Sequence, residues 1–276
     1  MLDHMTRQTE AETYTMPVVV RARGYYLYDR DGKRYIDFFQ NHGRAILGHR
    51  PEGVQRALKS TISRGLVAEY PSIYQGRLEK ILAQLLPDFP HVRIYPRQGS
   101  LAEFLKRTFG TDTVADPAVG AMPEGCKVSY WRPFLGDGGA DTVLLFPILP
   151  FPGSFIPEIV CVSDDSLVKE LPSAQPASPL LLDLLIKSVS TLLRLYRSEE
   201  AVVARATANP LEGLFGEPRG PYLLTGLSEG PYRELYQEAL AAGVVLPPGP
   251  ELPMIFPAEY HDGDIAEFRR IAARYC

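Results

Sequence analysis

Apolar residues recur at distinct periods along this chain, and these periods predict its elements. Two β-prone runs, residues 25–28 and 34–38, flank Asp31-Gly32, a dipeptide suited to the positive φ angles of a tight hairpin turn. Helical spacing of apolar residues predicts six helices, and Ser72 and Ser178 are expected to cap two of them with their hydroxyls. The predicted helices span about residues 51–64, 72–86, 101–109, 179–196 and 229–242, and a last helix carries Ile265, Phe268 and Ile271.

Short apolar runs between these helices predict buried strands. They cover residues 92–95, 127–131, one or two stretches within 142–162, 244–247 and 254–256. The run 143–162 is strongly apolar, but several prolines, a glycine and Glu158 interrupt it, which a membrane-spanning helix would rarely tolerate together. A turn is expected at residues 137–139 and a loop over 111–125. Strands alternating with helices predict an α/β fold.

Composition limits the classes of partner. The chain has 276 residues, 45% of them apolar, and a net charge of -4 from 29 basic and 33 acidic residues. Such a mixed charge argues against nucleic acid and anionic membranes as partners. The three cysteines, Cys126, Cys161 and Cys276, form no close-spaced metal pattern, and their odd number argues against a disulfide framework. We therefore expect a cytoplasmic protein that binds no metal.

Three segments carry a resemblance to a known family. Residues 24–38 read GYYLYDRDGKRYIDF, residues 46–58 read ILGHRPEGVQRAL, and residues 241–268 read AAGVVLPPGPELPMIFPAEYHDGDIAEF. These segments resemble the class III aminotransferases of pyridoxal-phosphate fold type I, especially the glutamate-1-semialdehyde aminomutase branch. The resemblance implies a contracted version of the fold type I transferase fold, whose middle has been rebuilt.

The resemblance also implies how the chain is organised. We expect a flexible arm at 1–15, the N-terminal hairpin and helices at 16–95, a reduced remnant of the large cofactor domain at 96–177, and a C-terminal helix with a small α/β segment at 178–276. The retained N-terminal elements imply a homodimer, because in the family they reach the partner subunit. The apolar stripe of the helix at 179–196 is expected to need a cover as well, from the core or from that partner.

Four residues stand where the family holds its cofactor. Gly99 and Ser100 match the turn that grips the phosphate, and the backbone N–H groups of a helix N-terminus favour an anion there. Phe134 matches the aromatic residue that stacks on the pyridine ring. Asp164 matches the acidic partner of the pyridine nitrogen, although a role as helix cap explains Asp164 better. These residues are the predicted cofactor-binding remnants.

The reaction of the family depends on one lysine. Pyridoxal chemistry uses a lysine amine as the Schiff-base anchor and then as the proton shuttle, so no other side chain replaces it. The family's Lys-x-x-Gly-Gly-Gly segment has no counterpart here. Only Lys169 and Lys187 follow the acidic residues, and Lys187 lies on the polar face of a predicted helix. The sequence therefore predicts no catalytic residue and no cofactor.

The predicted function is that of an aminotransferase-like protein that has lost aminotransferase activity. It would bind a small anionic ligand near Gly99, or act as partner subunit of a full-length aminotransferase relative. The alternative is a working aminotransferase or aminomutase that binds pyridoxal phosphate through an unrecognised lysine. His42 and His49 could form a proton-transfer or anion site, but we expect His49 to fix its turn by hydrogen bonding.

Overall fold

The computed structural model describes residues 14–111, 113–135, 139–150, 156–198, 211 and 213–276. The strands are β1 (Val19–Arg23), β2 (Tyr26–Asp29), β3 (Arg34–Asp37), β4 (His91–Tyr95), β5 (Val128–Trp131), β6 (Leu144–Pro147), β7 (Glu158–Val162), β8 (Tyr222–Leu223), β9 (Val244–Val245) and β10 (Met254–Ile255). The helices are α1 (Val54–Ser63), α2 (Ile73–Leu85), α3 (Ala102–Phe109), α4 (Asp165–Glu170), α5 (Pro179–Tyr196), α6 (Glu229–Ala241) and α7 (Asp262–Ala272). The predicted α/β class with mixed sheets and helices is confirmed.

The chain divides into two compact units. Unit 1 comprises the described residues of Met1–His49 and Arg205–Cys276, and unit 2 comprises those of Arg50–Ala204. Unit 1 therefore joins the beginning of the sequence to its end, and unit 2 contains the whole middle.

Unit 1 is built on a four-stranded sheet in the order β1, β2, β3, β9. The predicted hairpin is β2 and β3, paired antiparallel with Leu27 opposite Tyr35, and β9 adds to β3 in parallel. At its turn the Asp29 carboxylate accepts the amides of Asp31 and Lys33, and Gly32 has a φ of 82°. Strands β8 and β10 form a second, two-stranded sheet, and α6 and α7 contribute apolar side chains to the core. The strand β1 was not predicted.

Unit 2 contains a second four-stranded sheet in the order β4, β7, β6, β5. Strand β7 pairs antiparallel with both β4 and β6, and all five of its residues are buried. Helix α5 packs against α1 and α2, so that Leu182, Leu185 and Val189 are fully buried within this unit. Of the two covers expected for this stripe, the core of the same unit therefore supplies the one for these three residues.

Several local predictions differ from the structure in detail. The hydroxyls of Ser72 and Ser178 do not cap α2 and α5, and Ser178 instead donates to the carbonyl of Val67. Helix α1 starts at Val54 rather than near residue 51, because Gly53 precedes it in the left-handed conformation. Helix α4 was not predicted. The turn expected at 137–139 lies largely outside the described residues.

Candidate functional site

The turn between β4 and α3 is the place where the sequence predicts an anion. Gly99 has a φ of 78°, a conformation that glycine adopts without steric cost, and it bends the chain toward α3. The Ser100 hydroxyl donates to the carbonyl of Arg97 at 2.7 Å, and the Gln98 side chain donates to the carbonyl of Ile156 at 2.7 Å. These two contacts hold the turn in a defined shape.

A buried carboxylate meets the backbone amides of this turn. Glu158, the first residue of β7, is 8% exposed and pairs with Tyr95 at the end of β4. The Gly99 amide donates to Oε1 of Glu158 at 2.9 Å, and the Leu101 amide donates to Oε2 at 3.1 Å. Burial raises the pKa of Glu158, while the amides of the turn oppose that rise. The turn thus holds an anion, supplied by the chain itself.

The sequence reading missed Glu158, although a signal was present. A glutamate at the edge of a strongly apolar run is expensive to bury without a partner, so it indicates donors nearby. We read Glu158 only as an interruption of that run. The partner amides come from a turn almost 60 residues earlier, and their position depends on the pairing of β4 with β7.

A cleft of about 450 Å³ opens beside the same turn. It is lined by Tyr95, Pro96, Arg97, Ser100, Pro172, Ser173 and Gln175. Arg97 is the single charged residue in that lining, and the remaining polar groups are hydroxyls and one amide. The Tyr95 hydroxyl donates to the carbonyl of Pro172 at 2.9 Å, across the cleft wall. The lining therefore carries one positive charge among neutral polar groups.

Phe134 lies in a different contact from the one that the resemblance implies. Its ring stacks on Tyr196, with the centroids 5.6 Å apart and the planes at 12°, and its amide donates to the Tyr196 hydroxyl at 2.7 Å. Phe134 also has a φ of 65°, which costs free energy for a residue with a side chain. An aromatic side chain of α5 therefore covers the ring that was expected to face a cofactor.

Asp164 caps helix α4. Its Oδ1 accepts the Ser166 amide at 2.8 Å and its Oδ2 accepts the Ser166 hydroxyl at 2.7 Å, and these bonds lower the pKa of Asp164. The interpretation of Asp164 as a cap thus agrees with its contacts. Glu158 is the first residue of β7, and Asp164 follows the end of that strand. The five residues of β7 span about 13 Å. The structure does not bring Asp164 together with Gly99 and Ser100.

In unit 1, His49 is hydrogen-bonded as expected from its turn. Its Nε2 lies 2.7 Å from Oδ2 of Asp37, and its amide donates to the carbonyl of Gly24 at 2.7 Å. Oδ1 of Asp37 accepts the amides of Phe39 and Gln40, both at 2.9 Å. These bonds hold a left-handed turn in which residues 40–43 all have positive φ.

The described residues offer neither a metal site nor a membrane-spanning helix. No group of three or more His, Cys, Asp or Glu side chains among the described residues has the arrangement of a metal site. Within the same residues, no helix is long and apolar enough to cross a membrane.

Comparisons with known proteins locate the fold. Residues 8–103 match the model of the family Aminotransferase class-III. An uncharacterized protein of Borreliella burgdorferi is 27% identical over 256 residues, 93% of this chain and 90% of that protein. Glutamate-1-semialdehyde 2,1-aminomutase of Heliobacterium modesticaldum is 39% identical over 79 residues, which are 28% of this chain and 18% of the enzyme.

Solved structures extend the likeness beyond the N-terminal third. A glutamate-1-semialdehyde aminomutase from Pseudomonas aeruginosa PAO1 superposes with a TM-score of 0.70 at 14% identity, over 94% of this chain and 87% of the enzyme. The chain has the class III aminotransferase fold. The resemblance stated from the sequence is confirmed at the level of that fold.

The expectation that the chain has no cofactor is wrong for this fold. A transaminase solved with pyridoxal phosphate bound superposes with a TM-score of 0.60 at 15% identity, over all of this chain and 97% of that protein. That transaminase, which shares the fold of this chain, holds pyridoxal phosphate. The missing lysine segment does not by itself exclude the cofactor, because a phosphate group can be bound without a covalent bond.

The two ends of pyridoxal phosphate need different partners, hydrogen-bond donors for the phosphate and an amine for the aldehyde. The amides of Gly99 and Leu101 are donors of the first kind, and both donate to the Glu158 carboxyl group. The aldehyde of pyridoxal phosphate would need the amine of a lysine. All seven lysines of the chain are described, and all seven are exposed. The amides of Gly99 and Leu101 are thus occupied by Glu158, and none of the described lysines is buried.

Proposed function

We propose that this chain is a class III aminotransferase-fold protein that lacks aminotransferase activity and binds a phosphorylated small molecule, with pyridoxal phosphate as the first candidate. The observation that carries the proposal is the turn at 97–101, whose amides hold an anion beside a cleft. The exposure of every lysine supports the loss of activity, because an amine that shuttles protons at a bound cofactor must lie in a site shielded from water.

Each residue of the turn has a separate task in this proposal. The Gly99 and Leu101 amides would hold the phosphate group in place of Glu158, and the dipole of α3 would add a favourable potential. Ser100 keeps the turn in shape through its bond to the Arg97 carbonyl. The Arg97 guanidinium supplies positive charge at the cleft. Pyridoxal phosphate, when bound, supplies an electron-withdrawing ring and an aldehyde, but the aldehyde needs an amine that this cleft does not offer.

The second candidate is a working aminotransferase or aminomutase. It is favoured by the solved transaminase with pyridoxal phosphate bound and by the extent of the structural match. In that case Lys169 or Lys187 would carry the cofactor. Both are exposed, on α4 and α5. The local geometry therefore favours the first proposal.

The proposal also covers the oligomeric state of the protein and its cellular location. We expect a homodimer, or an association with a full-length aminotransferase relative, in a cytoplasmic setting. The support for association is the retention of the N-terminal segment that matches the family model. The support for the cytoplasm is the odd number of free cysteines. Light scattering on the purified protein should give twice the chain mass of 30.7 kDa, whereas a monomer at all concentrations would rule out the homodimer.

The decisive experiment measures binding and covalent attachment in the same sample. Calorimetric titration with pyridoxal phosphate and with pyridoxal should show binding of the phosphorylated form only. Borohydride reduction followed by peptide mapping should then find no lysine with a stoichiometric adduct. Arg97→Ala combined with Ser100→Ala should weaken binding of the phosphorylated form.

Matched variants separate the two candidates. Lys169→Ala and Lys187→Ala should leave binding unchanged, because both side chains are exposed. A stoichiometric adduct on either lysine that disappears on its substitution would establish the second candidate instead. Equal binding of pyridoxal and pyridoxal phosphate would exclude the turn as the phosphate site.

A further inference from the structure

Large apolar side chains are exposed in one short part of unit 2. The described residues include nine exposed large apolar side chains, and four of them, Ile62, Val67, Tyr70 and Ile73, lie between residues 62 and 73. Each of these four, called the apolar patch below, is at least half exposed. Single apolar residues are common on protein surfaces, but a cluster of them indicates a surface that another molecule covers.

The connection between α1 and α2, which carries Val67 and Tyr70, is held on both sides. The Arg64 guanidinium donates to the hydroxyl of Tyr74 in the first turn of α2, and the Ser178 hydroxyl donates to the carbonyl of Val67. Both helices that the connection joins pack against α5. A backbone held in a defined shape therefore presents the apolar patch.

The two helices use other residues to face the core of unit 2. Thr61, next to Ile62, is fully buried, and its hydroxyl donates to Oδ2 of Asp183 on α5 at 2.7 Å. Tyr74, next to Ile73, is buried as well. Consecutive residues of a helix point about 100° apart, so Ile62 and Ile73 are turned away from the buried faces. The unit itself does not cover them.

The size and composition of the apolar patch fit the centre of a protein interface. Four such side chains together present on the order of 400 Å² of apolar surface. A stable interface covers about 800 Å² on each partner, with an apolar centre enriched in tyrosine and a polar rim. The apolar patch supplies such a centre, and charged residues around it supply a rim.

Two charged residues at the edge of the apolar patch have opposite signs. Lys59 lies one turn before Ile62 on α1, and Glu69 directly precedes Tyr70. Both are exposed, and neither side chain forms a hydrogen bond or an ion pair with any residue that the structure describes. A surface with unpaired charges of both signs is suited to a copy of itself, because a twofold axis places each sign opposite the other. A partner of one sign would repel one of the two charges.

We propose that the apolar patch is the centre of a homodimer interface, in which Glu69 of each subunit faces Lys59 of the other. This inference rests on the homodimer included in the proposed function and names the surface that forms it. Tyr70 and Ile73 lie at the centre of this interface, where truncation of a side chain costs the most affinity.

Substitution within the apolar patch tests the surface, with the dissociation constant of the dimer measured by sedimentation equilibrium. Tyr70→Ser combined with Ile73→Ser should raise that constant about a hundredfold, because two central apolar anchors are lost. Val18→Ser combined with Val20→Ser is the matched control, since it removes two side chains of similar exposure from unit 1. The control should dissociate like the unchanged protein. A dimer weakened by the control and not by the patch variant would overturn the inference.

Charge reversal tests the contact between the two subunits. Glu69→Lys and Lys59→Glu should each raise the dissociation constant about tenfold, since each places like charges opposite one another. An equimolar mixture of the two variants should form a heterodimer about as stable as the unchanged dimer, because both contacts then join opposite charges. If the mixture dissociates as readily as the separate variants, the proposed contact is wrong.

The remaining outcomes separate this inference from the rest of the proposed function. A dimer of equal strength in the unchanged protein and the patch variant would overturn the inference and leave the homodimer standing on another surface. A monomer at all concentrations would overturn the inference and the homodimer, whereas binding of pyridoxal phosphate is measured separately. A monomer that binds vesicles of phosphatidylcholine and phosphatidylserine through Tyr70 and Ile73 would make a membrane the occupant instead. If the patch variant does not fold, the charge variants at residues 59 and 69 decide.

Discussion

The pair of Asp37 and His49 should be the main support of the left-handed turn in unit 1. Asp37 is 2% exposed, and its carboxylate receives two backbone amides and the imidazole Nε2 at 2.7–2.9 Å. The perturbation is Asp37→Asn, His49→Gln and the double variant. Asn keeps the shape of Asp but has one acceptor oxygen fewer, and Gln removes the imidazole.

The magnitude follows from two opposing contributions. Gln40, Asn41 and His42 have φ angles of 48°, 48° and 60°. Left-handed backbone costs about 1–2 kcal/mol per residue, somewhat less for Asn and His. Each hydrogen bond to a charged acceptor contributes about 1.5–3 kcal/mol. The bonds to the two amides therefore offset the strain. Asn keeps the oxygen that accepts both amides but loses the charge and the acceptor that faces His49, so Asp37→Asn should cost about 1.5–3 kcal/mol of unfolding free energy.

A double-mutant cycle isolates the contact between the two side chains. Urea unfolding of the four proteins should give a coupling free energy of about 1.5–3 kcal/mol between Asp37 and His49. Hydrogen exchange of the segment 39–46 should accelerate in both single variants. Asp141→Asn, which removes an exposed ion pair with Lys127, serves as control and should change stability by less than about 0.5 kcal/mol. A coupling below about 0.5 kcal/mol would refute the reasoning.

Other consequences can be checked more briefly. Burial raises the pKa of the Cys161 thiol to about 12, so a thiol reagent should label exposed Cys276 in the folded protein and Cys161 only on unfolding. Burial likewise raises the pKa of Tyr95 to about 12. The buried neutral hydroxyl of Tyr95 therefore contributes fully to stability below pH 10, and this contribution is lost as the pH rises to 12. An ultraviolet titration compared with Tyr95→Phe should detect that late ionisation. Gly48→Ala should destabilise by about 2 kcal/mol in urea unfolding, because φ is 81° and a Cβ would lie 3.1 Å from the carbonyl oxygen of Gly24.

Local signals were sufficient wherever one segment determines its own structure. The hairpin around Asp31-Gly32, the helices α2, α3, α5 and α6, and the capping role of Asp164 follow from side chains a few residues apart. The three resembling segments also predicted the fold, which the structural comparisons confirm. The local signal was misleading at Ser178, because its hydroxyl donates to the distant carbonyl of Val67 instead of capping α5. Ser72 makes no capping bond either, and nothing in the structure explains that.

The sequence by itself determined the class of fold, the order of most elements and the absence of the family's lysine segment, because each of these depends on residues close together in the chain. It did not determine whether a cofactor is held, and that expectation was wrong for this fold. Only the tertiary structure decided that helix α5 is covered within its own unit and that Glu158 meets the amides of Gly99 and Leu101. The physical reason is strand pairing. The register of β7 on β4 brings a carboxylate and its donors together across almost 60 residues of sequence, and no period along the chain encodes that distance.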